Sequence, residues 1–269
     1  NKMKAWKSAL WNLTKWLLVA AYLITSLNFV GKRSDQVTCS SISINIADSL
    51  DNAFITTEEV LKKIEREHAN LIGIPISMIN THAIEQQITT MQGVKRAEAY
   101  KTNNGVLSID IEQRKPVMRI INRYGKSYYI DIEGRILPLS NSFTSHVLVI
   151  NGNITEPFEI KPDINIMSWG KQPTEDEPFI CQLYTFAKFV TSHPFWNAQI
   201  TQVYVNNEQN IELIPRVGPH TIIFGDLANY EKKLAKLKLF YQSALPEEGW
   251  NKYTQINLRY SNQVVCTKR

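Results

Sequence analysis

The chain has 269 residues, a length that favours about two domains. Of these residues, 43% are hydrophobic and 20% are charged, and this composition excludes a chain that is disordered throughout. The net charge is +5, but four of the 30 basic residues and none of the 25 acidic residues lie in the first 31 positions. The other 26 basic residues almost balance the 25 acidic ones, which argues against a nucleic-acid-binding protein, since that class needs a basic face on its folded part.

A charge-free apolar run spans residues 16–30 and would be about 22 Å long as a helix. That length is short for a bilayer, but the helix extends further back if Lys15 directs its ammonium towards the headgroups. Four lysines lie in or before the helix, while Lys32 and Arg33 follow it, so the positive-inside rule predicts a cytoplasmic N-terminus. The alternatives are a buried core helix and a cleaved signal peptide, but no small-residue cleavage site ends the run. We therefore predict an uncleaved single-pass anchor within residues 1–36.

Residues 37–115 have the pattern of a small β-α-α-β-β domain. Apolar and polar residues alternate over Val37–Ile46, and Thr56 with Glu59 forms a capping box before an amphipathic helix. A second short helix follows, and Asn103-Asn104-Gly105 predicts a hairpin between the last two strands. The predicted core of this domain contains five isoleucines: Ile64, Ile84, Ile88, Ile109 and Ile111.

Residues 116–269 predict a mainly antiparallel β domain with flanking helices. Residues 151–178 are rich in Asn, Pro and acids and are predicted to be a loop. One helix is predicted over Pro178–Ser192, and another begins with a cap at Asp226 and ends at Pro246. The predicted strands are 117–121, 127–132, 135–139, 200–205, 211–214, 221–224 and the two strands of a final hairpin, 254–260 and 263–268, around a tight turn at Ser261-Asn262. The second helix carries four lysines that we interpret as a solvated face: Lys232, Lys233, Lys236 and Lys238.

The search for catalytic chemistry gives no positive signal. The sequence has no GxSxG, HExxH or Walker-type motif, and no two histidines are paired at i, i+4. Cys39, Cys181 and Cys266 are dispersed, without a CxxC pair, so neither a disulfide framework nor a zinc site is predicted. We expect a protein that is not an enzyme and that has no cofactor, metal or small-molecule substrate.

The order of these elements resembles the FtsQ/DivIB cell-division family, in which a POTRA domain follows a membrane anchor. Gly73–Ile76 before the second helix and Gly93–Ala97 after it resemble the family's POTRA domain, and Ile111–Val117 resembles its acid-x-x-x-Pro-hydrophobic signature. Tyr129–Leu137 resembles the family's aspartate, glycine turn and strand, and Ile256–Asn262 resembles its Asp-Leu-Arg-Tyr segment. Two residues depart from the pattern, because Asn257 replaces the usual Asp and Gln263 replaces a common turn glycine.

The resemblance implies an α+β protein with an N-terminal transmembrane helix (1–36), a POTRA-like domain (37–115) and an FtsQ-type β domain (116–269). It implies a non-enzymatic divisome scaffold in the bacterial inner membrane at the septum, with most of the chain in the periplasm. Expected partners are FtsB- and FtsL-like proteins, and the expected outcome is control of septal peptidoglycan synthesis. The alternatives are a membrane-tethered POTRA protein for outer-membrane or secretion traffic and a membrane-anchored cell-wall hydrolase.

The resemblance also implies a partner-binding region at the final hairpin, where Arg259 and Tyr260 match the family's Arg-Tyr pair. A last strand often lies at a sheet edge, where its unpaired backbone groups can bind a partner strand. Arg259 offers a planar fork to a carboxylate, and Tyr260 offers a large, fairly rigid surface. The alternative for Tyr260 is a core position on the face of Ile256 and Leu258. The predicted partner-binding residues are Arg259, Tyr260, Asn262, Val264, Val265 and Cys266.

Overall fold

The computed structural model resolves two compact units, and the predicted α+β class is confirmed. The first unit comprises residues up to 47 together with Ile55–Glu112, and the second comprises Asp48–Phe54 and Gln113–Arg269. The residues that the structure describes are 11, 14–26, 37–48, 53–68, 70–140, 143–162, 164–171 and 177–269.

The N-terminal segment is helical over residues 14–26, and nearly all of these residues are exposed. Within the described ranges, no helix combines the length and the apolar character needed to cross a membrane. Much of the predicted anchor, including residues 1–10 and 27–36, lies outside the described residues. The anchor therefore stays a prediction.

The first unit has the predicted β-α-α-β-β order, with a 3-10 turn at Ile76–Met78 between its helices. Its three strands form a sheet in the order β1-β3-β2, and β1 runs parallel to β3. The elements are β1 (Ser41–Ile46), α1 (Thr57–Glu67), α2 (Thr81–Thr89), β2 (Val94–Lys101) and β3 (Val106–Gln113).

Local sequence signals account for this unit. The capping box is present, because Glu59 N–H donates to Thr56 Oγ1 at 3.2 Å and Thr56 N–H donates to Glu59 Oε2 at 3.0 Å. Gly105 has a φ of +80° in the β2–β3 turn, and a Cβ there would lie 2.4 Å from Thr38 O, so only glycine fits. The predicted core is confirmed, because its five isoleucines are between 0% and 2% exposed: Ile64, Ile84, Ile88, Ile109 and Ile111.

The second unit is a nine-stranded sheet in the order β12-β11-β10-β9-β8-β7-β4-β5-β6. Among the pairs of this sheet that the structure describes, five are antiparallel and three are parallel, so the sheet is mixed. The strands are β4 (Pro116–Ile121), β5 (Ser127–Asp131), β6 (Ile136–Leu137), β7 (Leu148–Gly152), β8 (Ile200–Val205), β9 (Ile211–Pro215), β10 (Thr221–Gly225), β11 (Tyr253–Asn257) and β12 (Val265–Lys268). The helices are α3 (Phe179–Ser192), α4 (Pro194–Gln199), α5 (Tyr230–Ser243) and α6 (Leu245–Glu248).

The second unit differs from the prediction in several features, and helix α4 and a 3-10 helix over Ile166–Lys171 are among the elements that were not predicted. Strand β7 was not predicted, although it pairs in parallel with both β4 and β8. Helix α5 begins at Tyr230 after Asn229, whose φ is +52°, so the predicted cap at Asp226 is wrong. Asp226 instead accepts the N–H of Ala228 in the preceding turn at 3.1 Å. Pro246 does not directly follow α5 but lies in the first turn of α6, where proline is well tolerated.

Helices α3 and α5 pack their apolar stripes into the core of the second unit. The stripe residues are 0% to 4% exposed and share one cluster with buried residues of the strands. The main contributors from the helices are Leu183, Phe186, Val190, Leu234, Leu237 and Tyr241.

A buried ion pair fixes the turn between β5 and β6. Asp131, which is 1% exposed, accepts a 2.9 Å bond from Arg114 Nη1 through Oδ2. Its Oδ1 accepts the N–H groups of Glu133 and Arg135 at 2.9 and 2.8 Å. The same Arg114 nitrogen donates to the half-exposed Glu133 carboxylate at 3.0 Å. The Asp131 carboxylate therefore both neutralises a buried cation and holds the turn.

We predict that Asp131→Asn lowers the free energy of unfolding by about 3 kcal/mol, because it leaves Arg114 charged and buried without its main partner. Urea denaturation measures this loss. Glu133→Gln is the matched control and should cost less than about 1 kcal/mol, because the Glu133 side chain is 42% exposed. Equal losses of unfolding free energy in the two variants would show that the buried Arg114–Asp131 pair stabilises the fold no more than the exposed Arg114–Glu133 pair does.

Candidate partner-binding site at the sheet edge

One edge of the nine-stranded sheet is closed by the chain itself. Ile136 N–H in β6 donates to Ile164 O at 3.0 Å, and Ile166 N–H donates to Gly134 O at 2.9 Å. Both residues of β6 are also buried. The Ile136 N–H and the Gly134 carbonyl are thus bonded to residues 164–166 and are not available to another chain.

The opposite edge is β12. This strand pairs antiparallel with β11, with Asn257 opposite Val265 and Ile256 opposite Cys266. In the described part of the chain, no strand lies on the outer side of β12. Alternate residues of an antiparallel edge strand direct their N–H and C=O groups away from the sheet. The prediction that the last strand lies at a sheet edge is therefore confirmed.

The connection between β11 and β12 is a seven-residue loop, residues 258–264, which we call the hairpin loop. The predicted tight turn at Ser261-Asn262 is wrong, because β11 ends at Asn257 and β12 begins only at Val265. The loop starts with Leu258, which is 0% exposed and donates its N–H to Ile223 O at 2.9 Å. Beyond Leu258, contacts from other segments determine the path of the loop.

The predicted site residues lie together along this loop and strand. Tyr260 is 47% exposed and Val265 is 42% exposed. Arg259 and Asn262 are also exposed, and the half-buried residues of the set, Val264 and Cys266, pack against the core. Tyr260 does not share the buried face of Ile256 and Leu258, so the core alternative for Tyr260 is wrong. Its role in binding a partner stays a prediction.

The position of Arg259 depends on two neighbouring residues. Arg259 N–H donates to Asn257 Oδ1 at 3.0 Å, and its Nε lies 3.4 Å from the same oxygen. Gly225 has a φ of +82°, and a Cβ there would lie 2.7 Å from Arg259 Cγ. The aliphatic stem of Arg259 can therefore pass directly over the backbone of Gly225. Asn257, which departs from the family's Asp, still supplies the side-chain oxygen that accepts two residues later.

Lys236 of α5 bonds to the hairpin loop at three points. Its ammonium donates to Leu258 O at 3.2 Å, to Gln263 O at 3.3 Å and to Tyr260 O. Burial lowers the pKa of Lys236, and the nearby charge of Lys233 lowers it further. The bonds to three carbonyl oxygens favour the charged form and so oppose this shift.

Lys233 is also held by local partners. It donates to Asp226 O at 2.8 Å and to Asp226 Oδ1 at 2.5 Å, and its side chain is 15% exposed. Its ammonium also lies 5.2 Å from the centroid of the Phe224 ring. The interpretation of the α5 lysines as a solvated face is therefore wrong for Lys233 and Lys236.

A cleft of about 390 Å³ opens beside the hairpin loop. It is lined by Lys232, Lys236, Arg259 and Asp226, among others. Its lining has more cationic than anionic side chains, and Lys233 already neutralises Asp226. Such a cleft suits an acidic group.

Metal binding has no support in the described residues. The search of these residues finds no cluster of His, Cys, Asp and Glu that could hold a metal ion. The three cysteines are free thiols, and burial raises the pKa of both Cys181 and Cys266. Neither of these two thiols is an activated nucleophile at neutral pH.

Three residues that shape the site were missed by the sequence analysis: Lys236, Asn257 and Gly225. The spacing of Asn257 and Arg259 is a usable signal, because an Asn side chain often accepts from the backbone two residues on. Lys236 gave no such signal, since its acceptors lie more than twenty residues further along the chain.

A buried histidine anchors the end of α5 to the strand next to β11. His220, directly before β10, is 3% exposed, and its Nε2 lies 2.8 Å from the Tyr241 hydroxyl. Its Nδ1 is buried without a hydrogen-bond partner among the described residues. Burial lowers the pKa of His220 and also raises that of Tyr241. Both groups are therefore neutral in the folded protein at neutral pH.

Comparisons with known proteins agree with this architecture. Residues 115–267, more than half of the chain, match a family described as "FtsQ/DivIB, C-terminal related". Residues 37–112 match a POTRA-like domain, which confirms the predicted nature of the first unit. One curated relative, "Cell division protein FtsQ" of Rhodothermus marinus, is 22% identical over 195 residues, which cover 72% of this chain and 67% of the relative.

We predict that acidification destabilises the fold through His220. Because its folded pKa is below the ordinary value of 6.5, its contribution to stability is present above that value and is lost as the pH falls below it. Urea midpoints at about pH 7.5 and about pH 5 should differ more for the wild type than for His220→Gln. The other four histidines are present in both proteins, so the difference isolates His220. Equal differences in the two proteins would contradict this prediction.

Proposed function

The chain belongs to the FtsQ/DivIB family of cell-division proteins, and from this premise we propose that it is a non-enzymatic scaffold of the divisome. We propose FtsB- and FtsL-like proteins as its partners and control of septal peptidoglycan synthesis as its cellular role. The observation that carries the proposal is the open edge of β12 beside exposed Arg259 and Tyr260. The match of residues 115–267 to the FtsQ/DivIB family supports this function over a POTRA protein for outer-membrane or secretion traffic.

The proposed location follows from the N-terminal sequence. We propose that residues 1–36 hold a single-pass anchor in the bacterial inner membrane, with the N-terminus in the cytoplasm. A POTRA-like domain (37–115) and a β domain (116–269) then lie in the periplasm, at the division septum. The lysines before the apolar run and the family membership support this arrangement.

The proposed mechanism is addition of a partner strand to β12. An extended segment that pairs with β12 satisfies backbone groups that otherwise face water, and this supplies affinity with little sequence preference. Specificity then comes from side chains beside the edge. Arg259 presents a guanidinium to a carboxylate, and Tyr260 and Val265 present exposed apolar surface. The bonds beside β6 support the assignment, because the chain itself occupies backbone groups at that edge, whereas no described strand pairs with the outer side of β12.

We predict that Tyr260→Ala weakens binding of the FtsB-like protein of the same organism by about 2 kcal/mol or more, because exposed aromatic residues beside an interface often dominate its energy. The melting temperature should stay unchanged, since Tyr260 is 47% exposed. Isothermal titration calorimetry and thermal denaturation of the purified full chain measure the two quantities.

The matched control is Tyr124→Ala, which removes a tyrosine that is 70% exposed in the β4–β5 turn. This variant should keep both its affinity and its melting temperature. If Tyr260→Ala is stable and binds the FtsB-like protein as the wild type does, Tyr260 is not part of the site.

We predict that Val265→Pro and Cys266→Pro differ in what they change: one lowers the melting temperature, and the other abolishes partner binding without lowering it. In an antiparallel edge strand, neighbouring N–H groups point alternately to the paired strand and to solvent. One proline therefore removes a bond to β11 and lowers stability, whereas the other removes only an outward N–H. The proline that spares the melting temperature should abolish binding of the FtsB-like protein. Retained binding in that variant would exclude strand addition at β12.

A further inference from the structure

We propose that Lys236 is a positioning residue for the partner-binding edge. Its ammonium holds the hairpin loop in the conformation that presents Arg259 and Tyr260 beside β12. This inference rests on the proposed function, and it assigns a role to a residue that is not itself in the predicted contact set.

The geometry of Lys236 is the main argument. A lysine ammonium has three N–H donors, and here its three acceptors are Leu258 O, Tyr260 O and Gln263 O. These carbonyl groups lie near the start, the middle and the end of the hairpin loop. One side chain therefore links parts of the loop that no backbone ladder connects.

The core anchors the backbone of Lys236 independently of the loop. Leu234 and Leu237, on either side of Lys236 in α5, are 1% and 0% exposed and belong to the core. Lys233, one turn earlier, is tied to Asp226. Lys236 thus extends from a helix that the core holds in place and that does not depend on the hairpin loop.

The energetic consequence concerns binding more than folding. Ordering a backbone segment has an entropic cost, so a loop that is already ordered does not incur that cost when the partner binds. Strand β12 remains attached through its ladder with β11 when Lys236 is absent. A variant without the Lys236 ammonium should therefore keep its fold while the loop samples other conformations. Its observed affinity should fall in proportion to the fraction of molecules whose loop is in the binding conformation.

The decisive experiment compares three variants of the full chain: Lys236→Gln, Lys236→Arg and the control Lys238→Gln. Lys238 lies on the same helix, with its ammonium 5.2 Å from the centroid of the Phe195 ring rather than at the loop. We expect Lys236→Gln to bind the FtsB-like protein about tenfold more weakly at an unchanged melting temperature. Lys236→Arg, which keeps a cation with several donors, should restore much of the affinity, and Lys238→Gln should bind as the wild type does.

Hydrogen exchange separates positioning from direct contact and does not require a partner. In Lys236→Gln, amides of residues 258–264 should exchange faster, while those of β10 and β11 should keep their protection. Unchanged loop exchange overturns the proposal, and so does faster exchange with unchanged affinity. A melting temperature that falls in proportion to the affinity in both Lys236 variants also overturns it, because Lys236 is then structural. If the wild type does not bind the FtsB-like protein, the proposed function fails, and the exchange result still decides whether Lys236 orders the loop.

Discussion

Backbone N–H and C=O groups at the edge of a sheet need hydrogen-bond partners, and the second unit meets this requirement differently at its two edges. At β6 the chain folds back and supplies the partners itself, through Ile164 and Ile166. At β12 the described chain supplies none on the outer side. This difference between the two edges is the observation on which the proposed binding surface at β12 rests.

The open edge is not a flat strand but a strand joined to a shaped loop. Three separate segments determine that shape: Gly225 at the end of β10, Lys236 in α5 and Asn257 at the end of β11. Gly225 leaves room for the aliphatic stem of Arg259, and Asn257 accepts the backbone N–H of Arg259. Lys236 donates hydrogen bonds to three carbonyl oxygens of the loop. The exposed residues that suit a partner therefore depend on residues that need not touch it.

The sequence predicted well those features that neighbouring residues determine. The capping box at Thr56 and Glu59, the turn at Gly105 and the isoleucine core of the first unit are all local patterns, and the structure confirms them. Strand β7 was not predicted because its apolar run is short and its pairing partners, β4 and β8, are distant in sequence. The conformation of the hairpin loop was not predicted for a similar reason. Lys236 bonds to the loop from a helix that is distant in sequence, and no tight turn forms at Ser261-Asn262. The sequence left both an exposed and a core position open for Tyr260, and only the three-dimensional structure shows that Tyr260 and Arg259 are exposed.

The parallel pairing of β10 with β11 has a consequence for how the molecule reaches its final form. Parallel neighbours cannot be joined by a hairpin, so the chain must cross over through α5 before Ile256 can align with Ile222. Closing such a long connection is entropically costly and slow compared with forming a local hairpin. We therefore expect the pairing of β11 with β10, like the parallel pairings of β7 with β4 and β8, to form later than the local hairpins of the second unit. A newly made chain would then join β11 and β12 to the sheet only after this crossover has closed, which limits premature association of incomplete chains.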